Sequence, residues 1–370
     1  MSMRAARVGA TRSISATRAA RLTSVLLCQL AFALPAMAHD DVSFRGKTVR
    51  MIVGSVPGGI TDVGARLIAR FLGKHLPQSP IIVVQNMPAA NGIAAANYFT
   101  QQLTPDGLTF LAGSSSQVTP DVMRTNPAVR YDPAKFLFIG GIQNAGTLLI
   151  IARRARERLT DRSREAVVMA QVGGTRTGAL ISVWGSEYLG WNVRWVTGYQ
   201  GTPQTVFALM RGEADMMDTA GVNVLEPLIK TGNFVPVVQP GVVVDGKLRH
   251  RDAFPEVPLA TDLLRGKIDG RALHAFESWL KTVQIGKYYA LPTNTPAPYV
   301  AAYRDAFEKM QADPEFQQQA RTAIDPDYVM MSAADTKQLI DDLVAAPNED
   351  LEFLNRLRNK YGLPSGEVTR

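Results

Sequence analysis

Short apolar runs, many of them β-branched, recur along the chain, and segments of helical period lie between them. Residues 48–53, 81–84, 108–112, 148–152, 167–171, 193–196, 215–217 and 235–238 read as strands. Leu67, Ile68, Phe71 and Leu72 keep helical spacing, and further helices read at 92–102, 179–189, 203–211 and 223–230. Strands this short, alternating with helices of about ten residues, point to an α/β fold of parallel sheets covered on both faces. A helical C-terminal third follows at 298–312, 335–344 and 348–361. In its last helix Leu351, Leu354, Leu357 and Tyr361 share one face, as a packing helix requires.

The basic charge lies outside this alternating region. The 370-residue chain carries 40 Lys+Arg against 33 Asp+Glu, a formal net charge of +7. Arg4, Arg7, Arg12, Arg18 and Arg21 fall in the first 38 residues, which contain no acid, so the remaining 332 hold only +2. That near-neutral body argues against a nucleic-acid partner. After Arg21 comes an apolar run to Leu34 and then Pro35-Ala36-Met37-Ala38, the pattern of a secretory signal with an Ala-x-Ala exit. Cleavage after Ala38 is expected, with the exported mature chain starting at His39. Cys28, the only cysteine, sits in the apolar run behind Leu27, which does not suit a lipoprotein box. The mature chain therefore has no disulfide, thiolate nucleophile or cysteine metal site. No later stretch reaches transmembrane length.

Four strand-to-helix loops are rich in glycine and hydroxyl residues. The first is Ser55-Val56-Pro57-Gly58-Gly59-Ile60-Thr61-Asp62, with a helix expected from Val63 and Thr61 or Asp62 as its cap. Such a helix start suits a carboxylate or phosphate, and the same residues equally fit an ordinary glycine-rich turn. Gly113-Ser114-Ser115-Ser116, Gly173-Gly174-Thr175-Arg176-Thr177-Gly178 and Gly198-Tyr199-Gln200-Gly201-Thr202-Pro203 share the character. Two loops in each half of the α/β region describe a cleft lined by backbone donors and small hydroxyls, at the carboxyl ends of strands.

Enzymatic motifs are missing. There is no GxSxG or GxGxxG, and Ala65-Arg66 stands where a phosphate loop needs Lys-Ser/Thr. His39, His75, His250 and His274 are scattered, without HExxH spacing. No catalytic residue, metal or cofactor is expected.

Pro57-Gly58-Gly59-Ile60-Thr61-Asp62, Val83-Val84-Gln85-Asn86-Met87-Pro88 and Pro105-Asp106-Gly107-Leu108-Thr109 follow one another in the order and spacing of the Bug (TctC) family. Tyr131-Asp132-Pro133, Thr197-Gly198-Tyr199-Gln200-Gly201, Arg211-Gly212-Glu213-Ala214-Asp215, Phe254-Pro255-Glu256-Val257-Pro258, Pro292-Thr293-Asn294-Thr295-Pro296 and Ala312-Asp313-Pro314-Glu315-Phe316 extend the resemblance over nearly the whole mature chain. The sequence thus resembles the extracytoplasmic receptors of tripartite tricarboxylate transporters.

That resemblance implies a type II-like, two-domain periplasmic binding protein that closes on a small carboxylate. By analogy, domain 1 comprises 39–143 and 264–370, and domain 2 comprises 144–263. The implied ligand contacts in domain 1 are Pro57, Gly58, Gly59, Thr61, Asp62, Ser114 and Ser115. In domain 2 they are Gly174, Thr175, Thr177 and Tyr199, with Asp218 near the end of a following strand. The implied partners are a small carboxylate and integral-membrane permease subunits, and the receptor is expected to act as a monomer. Ala89-Ala90-Asn91-Gly92 departs from the family's Gly-Ala-Gly-Gly, and the added Cβ atoms restrict that backbone. Arg176, in the middle of a domain-2 loop, has the planar donor fork that would suit a second ligand carboxylate, although a solvated loop arginine is the commoner case. Two other readings remain open: an exported α/β hydrolase or transferase using His250 or His274, and a receptor that signals to a membrane sensor.

Overall fold

A computed structural model of the chain describes residues 42–363 apart from 59, 145, 175–176, 200 and 245–246. The signal segment 1–38, Gly59, Thr175 and Arg176 lie outside the described residues. The strands are β1 Val49–Val53, β2 Ile82–Asn86, β3 Thr109–Ser114, β4 Leu137–Gln143, β5 Leu148–Ala152, β6 Val167–Ala170, β7 Val193–Val196, β8 Met216–Thr219, β9 Phe234–Val238, β10 Val242–Val244, β11 Lys247–Arg249, β12 Ile285–Leu291 and β13 Met330–Met331. The helices are α1 Ile60–His75, α2 Ile93–Gln101, α3 Pro120–Thr125, α4 Thr177–Tyr188, α5 Thr202–Arg211, α6 Val222–Lys230, α7 Ala260–Leu264, α8 Gly270–Thr282, α9 Ala297–Ala312, α10 Pro314–Ala323, α11 Ala333–Val344 and α12 Asn348–Lys360.

The strands form two large sheets, ordered β13-β4-β12-β3-β1-β2 and β7-β6-β8-β5-β9, with β10 and β11 as a separate hairpin. Each sheet is mixed, with a parallel run of three strands at the heart of the expected α/β architecture. In the first, β2, β1 and β3 are parallel, and β12 runs antiparallel between β3 and β4. In the second, β7, β6 and β8 are parallel, and β5 runs antiparallel between β8 and β9. Each sheet has a reversed strand that enters from the other lobe, β5 following β4 and β12 following α8, and the two-residue edge strand β13 also runs against β4. A strand entering at the edge where its neighbours finish must run against them.

Alternation along the strands separates two cores per sheet. Met51, Val53, Phe110, Ala112, Tyr289 and Leu291 pack under α1, α9 and α10. Ile52, Leu111, Tyr288 and Ala290 face the other way, under α2 and α11. In the second lobe Leu149, Ile151, Val167 and Met169 pack with α4, α7, α8 and α12, and Leu148, Ile150 and Met217 pack with α5 and α6. The stretch 264–370, expected to complete the first domain, is divided by this packing. Phe276 and Trp279 of α8 and Leu354 and Leu357 of α12 join the second lobe's core. The chain crosses between the sheets after β4, before β12 and again between α11 and α12.

Candidate functional site

The carboxyl ends of β1, β2 and β3 lie on the edge where β4 leaves and β12 enters. Three loops are locked together there. The helix α1 starts at Ile60, earlier than expected, so Thr61 and Asp62 fall inside its first turn and neither is its cap. Asp62 is 2% exposed, and its Oδ2 accepts from the Gly58 N–H at 2.8 Å and from Arg66 Nε at 2.9 Å. Asn86 Nδ2, at the end of β2, donates to Asp62 Oδ1 at 2.8 Å and to the Ser55 carbonyl at 3.0 Å. The Arg66 guanidinium, with help from Gly58 and Asn86 and against the effect of burial, lowers the Asp62 pKa to about 2. The carboxylate therefore carries its charge at neutral pH, but Arg66 balances that charge, so the loop does not repel an anion. Asp62 builds the loop that presents Pro57 and Gly58, and its own oxygens are occupied.

Gln117 joins the same edge from the β3 side. It is fully buried; its Nε2 donates to the Gly92 carbonyl at 2.8 Å, and its Oε1 accepts from Ser114 N at 3.0 Å and Tyr288 Oη at 2.9 Å. The Tyr131 hydroxyl donates to the Gln117 carbonyl at 2.7 Å. Gly92 has φ +85°, and a Cβ there would run into the Gln117 amide and the Gly54 carbonyl. Gly113 lies opposite Tyr288 in the β3–β12 register, where the tyrosine ring fills the place of a side chain. Ser114 Oγ lies 2.8 Å from Ser116 Oγ, and Ser115 opens a 3-10 turn. Pro57, Gly58, Ser114 and Ser115 thus occupy one edge, held from beneath by Asn86 and Gln117. Sequence reasoning gave Asn86 and Gln117 no role, although Asn86 stands inside a quoted motif.

The second lobe repeats the arrangement after β6, β7 and β8. Gln171, 1% exposed, donates from Nε2 to Asp218 Oδ1 at 2.6 Å, and its carbonyl accepts from Tyr199 N at 3.4 Å. The Asp218 carboxylate lies against Gly178 in the first turn of α4, so close that no Cβ would fit. It sits where it complements the positive end of that helix. Gly174 packs on Leu363 beyond α12, Thr177 opens α4, and Tyr199 packs against Ala170, Ala208 and Ala214. Gln171 was not singled out from the sequence, where a lone glutamine at a strand end carries no signal. His75 is bonded to Asp313 at 3.1 Å, away from both loop sets. Among the described residues no cluster of His, Cys, Asp and Glu could hold a metal, and no helix is long and apolar enough to cross a membrane.

Residues 64–352 match the family model described as the tripartite tricarboxylate transporter family receptor, TctC. The chain belongs to the TctC family. TctC proteins are receptors, not enzymes, which removes the hydrolase or transferase reading. A UPF0065 protein from the ttuE-ttuC' intergenic region of Agrobacterium vitis is 27% identical over 305 residues, covering 80% of this chain and 79% of that one. A UPF0065 protein of Bordetella pertussis is 40% identical over 82 residues, and the matched stretch covers 22% of this chain and 24% of that relative's length. Among solved structures, a TctC solute binding protein from Polaromonas has a TM-score of 0.62 at 18% identity, covering 86% of this chain and all of that one. A Rhodopseudomonas palustris protein with adipate has a TM-score of 0.60 at 19% identity, over 84% of this chain and 97% of its own. MatC from R. palustris with bound malate has a TM-score of 0.55 at 20% identity, over 84% and 98%. These likenesses establish the TctC periplasmic-binding-protein fold.

Proposed function

We propose that this chain is a periplasmic receptor that captures a small di- or tricarboxylate between its lobes and delivers it to a tripartite membrane permease. The observation that carries the reading is the pairing of two half-sites. Each presents the C-terminal ends of three parallel strands and the start of a helix, α1 in one lobe and α4 in the other. Helix starts and glycine-rich loops supply N–H donors suited to an anion, and Arg66 neutralises the Asp62 carboxylate buried beneath the first of them. Malate and adipate in two similar structures support the ligand class. In this reading Pro57, Gly58, Gly59, Thr61, Ser114 and Ser115 face Gly174, Thr175, Thr177 and Tyr199 across the cleft. Asp62 and Asp218 set loop shape, and Arg176 pairs with the ligand's second carboxylate. The first lobe corresponds to 39–143 with the C-terminal elements that return to it, the second to 144–263 joined by α8 and α12, and the receptor works as a monomer.

A thermal-shift screen of residues 39–370 against carboxylates tests this directly. Malate, adipate or a citrate-like acid raises the melting temperature, because a ligand that binds only the native state stabilises it. No response to any acid, together with a hit among sugars or cations, overturns the reading. Arg176→Ala weakens dicarboxylate binding about tenfold or more if the bidentate pair forms, and unchanged affinity removes that assignment. Mass spectrometry of the exported product checks for a mature terminus at His39.

A further inference from the structure

A fully buried arginine, outside both half-sites, binds the two lobes to each other. Arg251 is 0% exposed and follows the β10–β11 hairpin. It is fixed in the second lobe by Gln239, just after β9, whose Oε1 accepts from Arg251 N at 3.0 Å. Gln239 Nε2 in turn donates to the carbonyls of Phe254 and Val257, at 2.9 and 2.8 Å. The guanidinium then reaches three other places. Nη1 donates at 2.8 Å to the Gly146 carbonyl, in the segment crossing from β4 to β5. The same nitrogen donates at 2.8 Å to the Ala220 carbonyl, in the turn from β8 to α6 that follows Asp218. Nη2 and Nε donate to Asp325 Oδ1 at 3.1 Å and Asp327 Oδ2 at 3.2 Å, between α10 and β13. Ile324 and Tyr328, on either side of this acidic pair, pack into the first lobe's core.

A buried charge held by four acceptors in fixed directions resists displacement, since losing any partner strands the others in a low-dielectric site. Around it, Gln143 at the end of β4 clasps Val243 of β10 through both its amide atoms, at 2.6 and 3.2 Å. The first two crossing segments also meet directly, with Asn144 N donating to the Gln284 carbonyl at 2.9 Å.

We propose that Arg251, with Asp325 and Asp327, is an interlobe latch: it fixes the angle between the half-sites before ligand arrives and holds the β8–α6 turn in register with the crossing segment. Arg251 is a positioning residue and touches no ligand. The latch does not depend on which ligand class is bound.

The absence of cysteine from residues 39–370 permits a direct test. Spin labels at Glu308→Cys, exposed on α9, and Lys230→Cys, exposed on α6, report the distance between lobes in ligand-free protein. The otherwise unaltered protein gives one narrow distance population. Asp327→Asn keeps an acceptor for Arg251 but removes the charge, and Arg251→Lys keeps the charge but loses the fork of donors. Both broaden the distribution or add a second population, while circular dichroism stays unchanged. With malate and adipate as probes, the apparent affinity shifts by up to about tenfold, because the fraction of binding-competent molecules has changed. If Arg251→Lys does not fold, Asp327→Asn decides alone. A folded Asp327→Asn protein with the unaltered distance distribution overturns the latch. That outcome leaves the carboxylate reading standing, because the distances are measured without ligand.

Discussion

Asp62 shows how much a single side chain settles. Its carboxylate closes the Pro57–Gly58 turn, anchors Asn86 and pairs with Arg66, so Asp62→Asn loosens three segments together. Losing those charge-assisted bonds in a buried position is expected to cost about 1–3 kcal/mol at pH 7, measured by urea unfolding. The pH dependence has a definite sign. The folded pKa of about 2 lies below the ordinary 3.8, so the stabilisation is fully present above the ordinary value and is lost as pH falls through the folded one. The gap between the two proteins therefore holds at neutral pH, narrows below about pH 4 and closes towards pH 2. A gap that persists unchanged at pH 3 contradicts this account. Gly92→Ala probes the neighbouring loop. Left-handed backbone and a clash with Gln117 and Gly54 together predict a loss of about 2–4 kcal/mol in urea unfolding. Little change there would mean that Gln117 swings aside freely.

At the scale of elements, the sequence signal was strong for some and absent for others. Strands β1, β3 and β5 were legible as short apolar runs buried on both faces, and the helices α4, α5, α6, α9, α11 and α12 by their length and composition. Strand β12 was not seen, and the region before it, α8, passed without notice. Tyr288, Tyr289 and Ala290 are all buried, but Gly286 and Lys287 interrupt the run, so neither an alternation nor a continuous apolar stretch marks the strand. The partner of α12 was equally hidden: a stripe of leucines tells that a helix packs, not on what. Trp184 makes the consequence measurable. It stacks on Phe353 of α12 at 5.9 Å and meets Phe276 of α8 edge-on at 5.2 Å. Trp184→Ala is expected to cost about 3–5 kcal/mol. All four tryptophans, Trp184, Trp191, Trp195 and Trp279, lie in or against this one core. Ending the chain at Ala345, which removes α12, should therefore red-shift the fluorescence. An unshifted spectrum would show that α12 is dispensable to the second lobe.

For the molecule as a whole, the proposed function makes ligand capture and lobe geometry one equilibrium. A carboxylate at about a hundred times its Kd should add about 2.7 kcal/mol to native stability if it binds only the folded receptor. Calorimetric melting with malate, against an equal concentration of a neutral sugar, separates this from a general solute effect. The first crossover after β4 was legible, because the resemblance divides the chain there. The later crossings were not, because they depend on which sheet each C-terminal helix finds.

The sequence by itself determined the class of fold, the glycine-rich loops at strand ends, the near-neutral body and the family to which the chain belongs. These are local properties: periodicity, turn chemistry and short ordered motifs survive in one dimension. Only the tertiary structure decided that Asp62 serves the loop, that β5 and β12 run against their neighbours, that α8 and α12 cover the second sheet, and that Arg251 bridges the lobes. Each of those depends on residues far apart in the chain meeting in a buried place. A charge such as Arg251 carries no mark of its burial until its partners, Asp325 and Asp327, are brought to it.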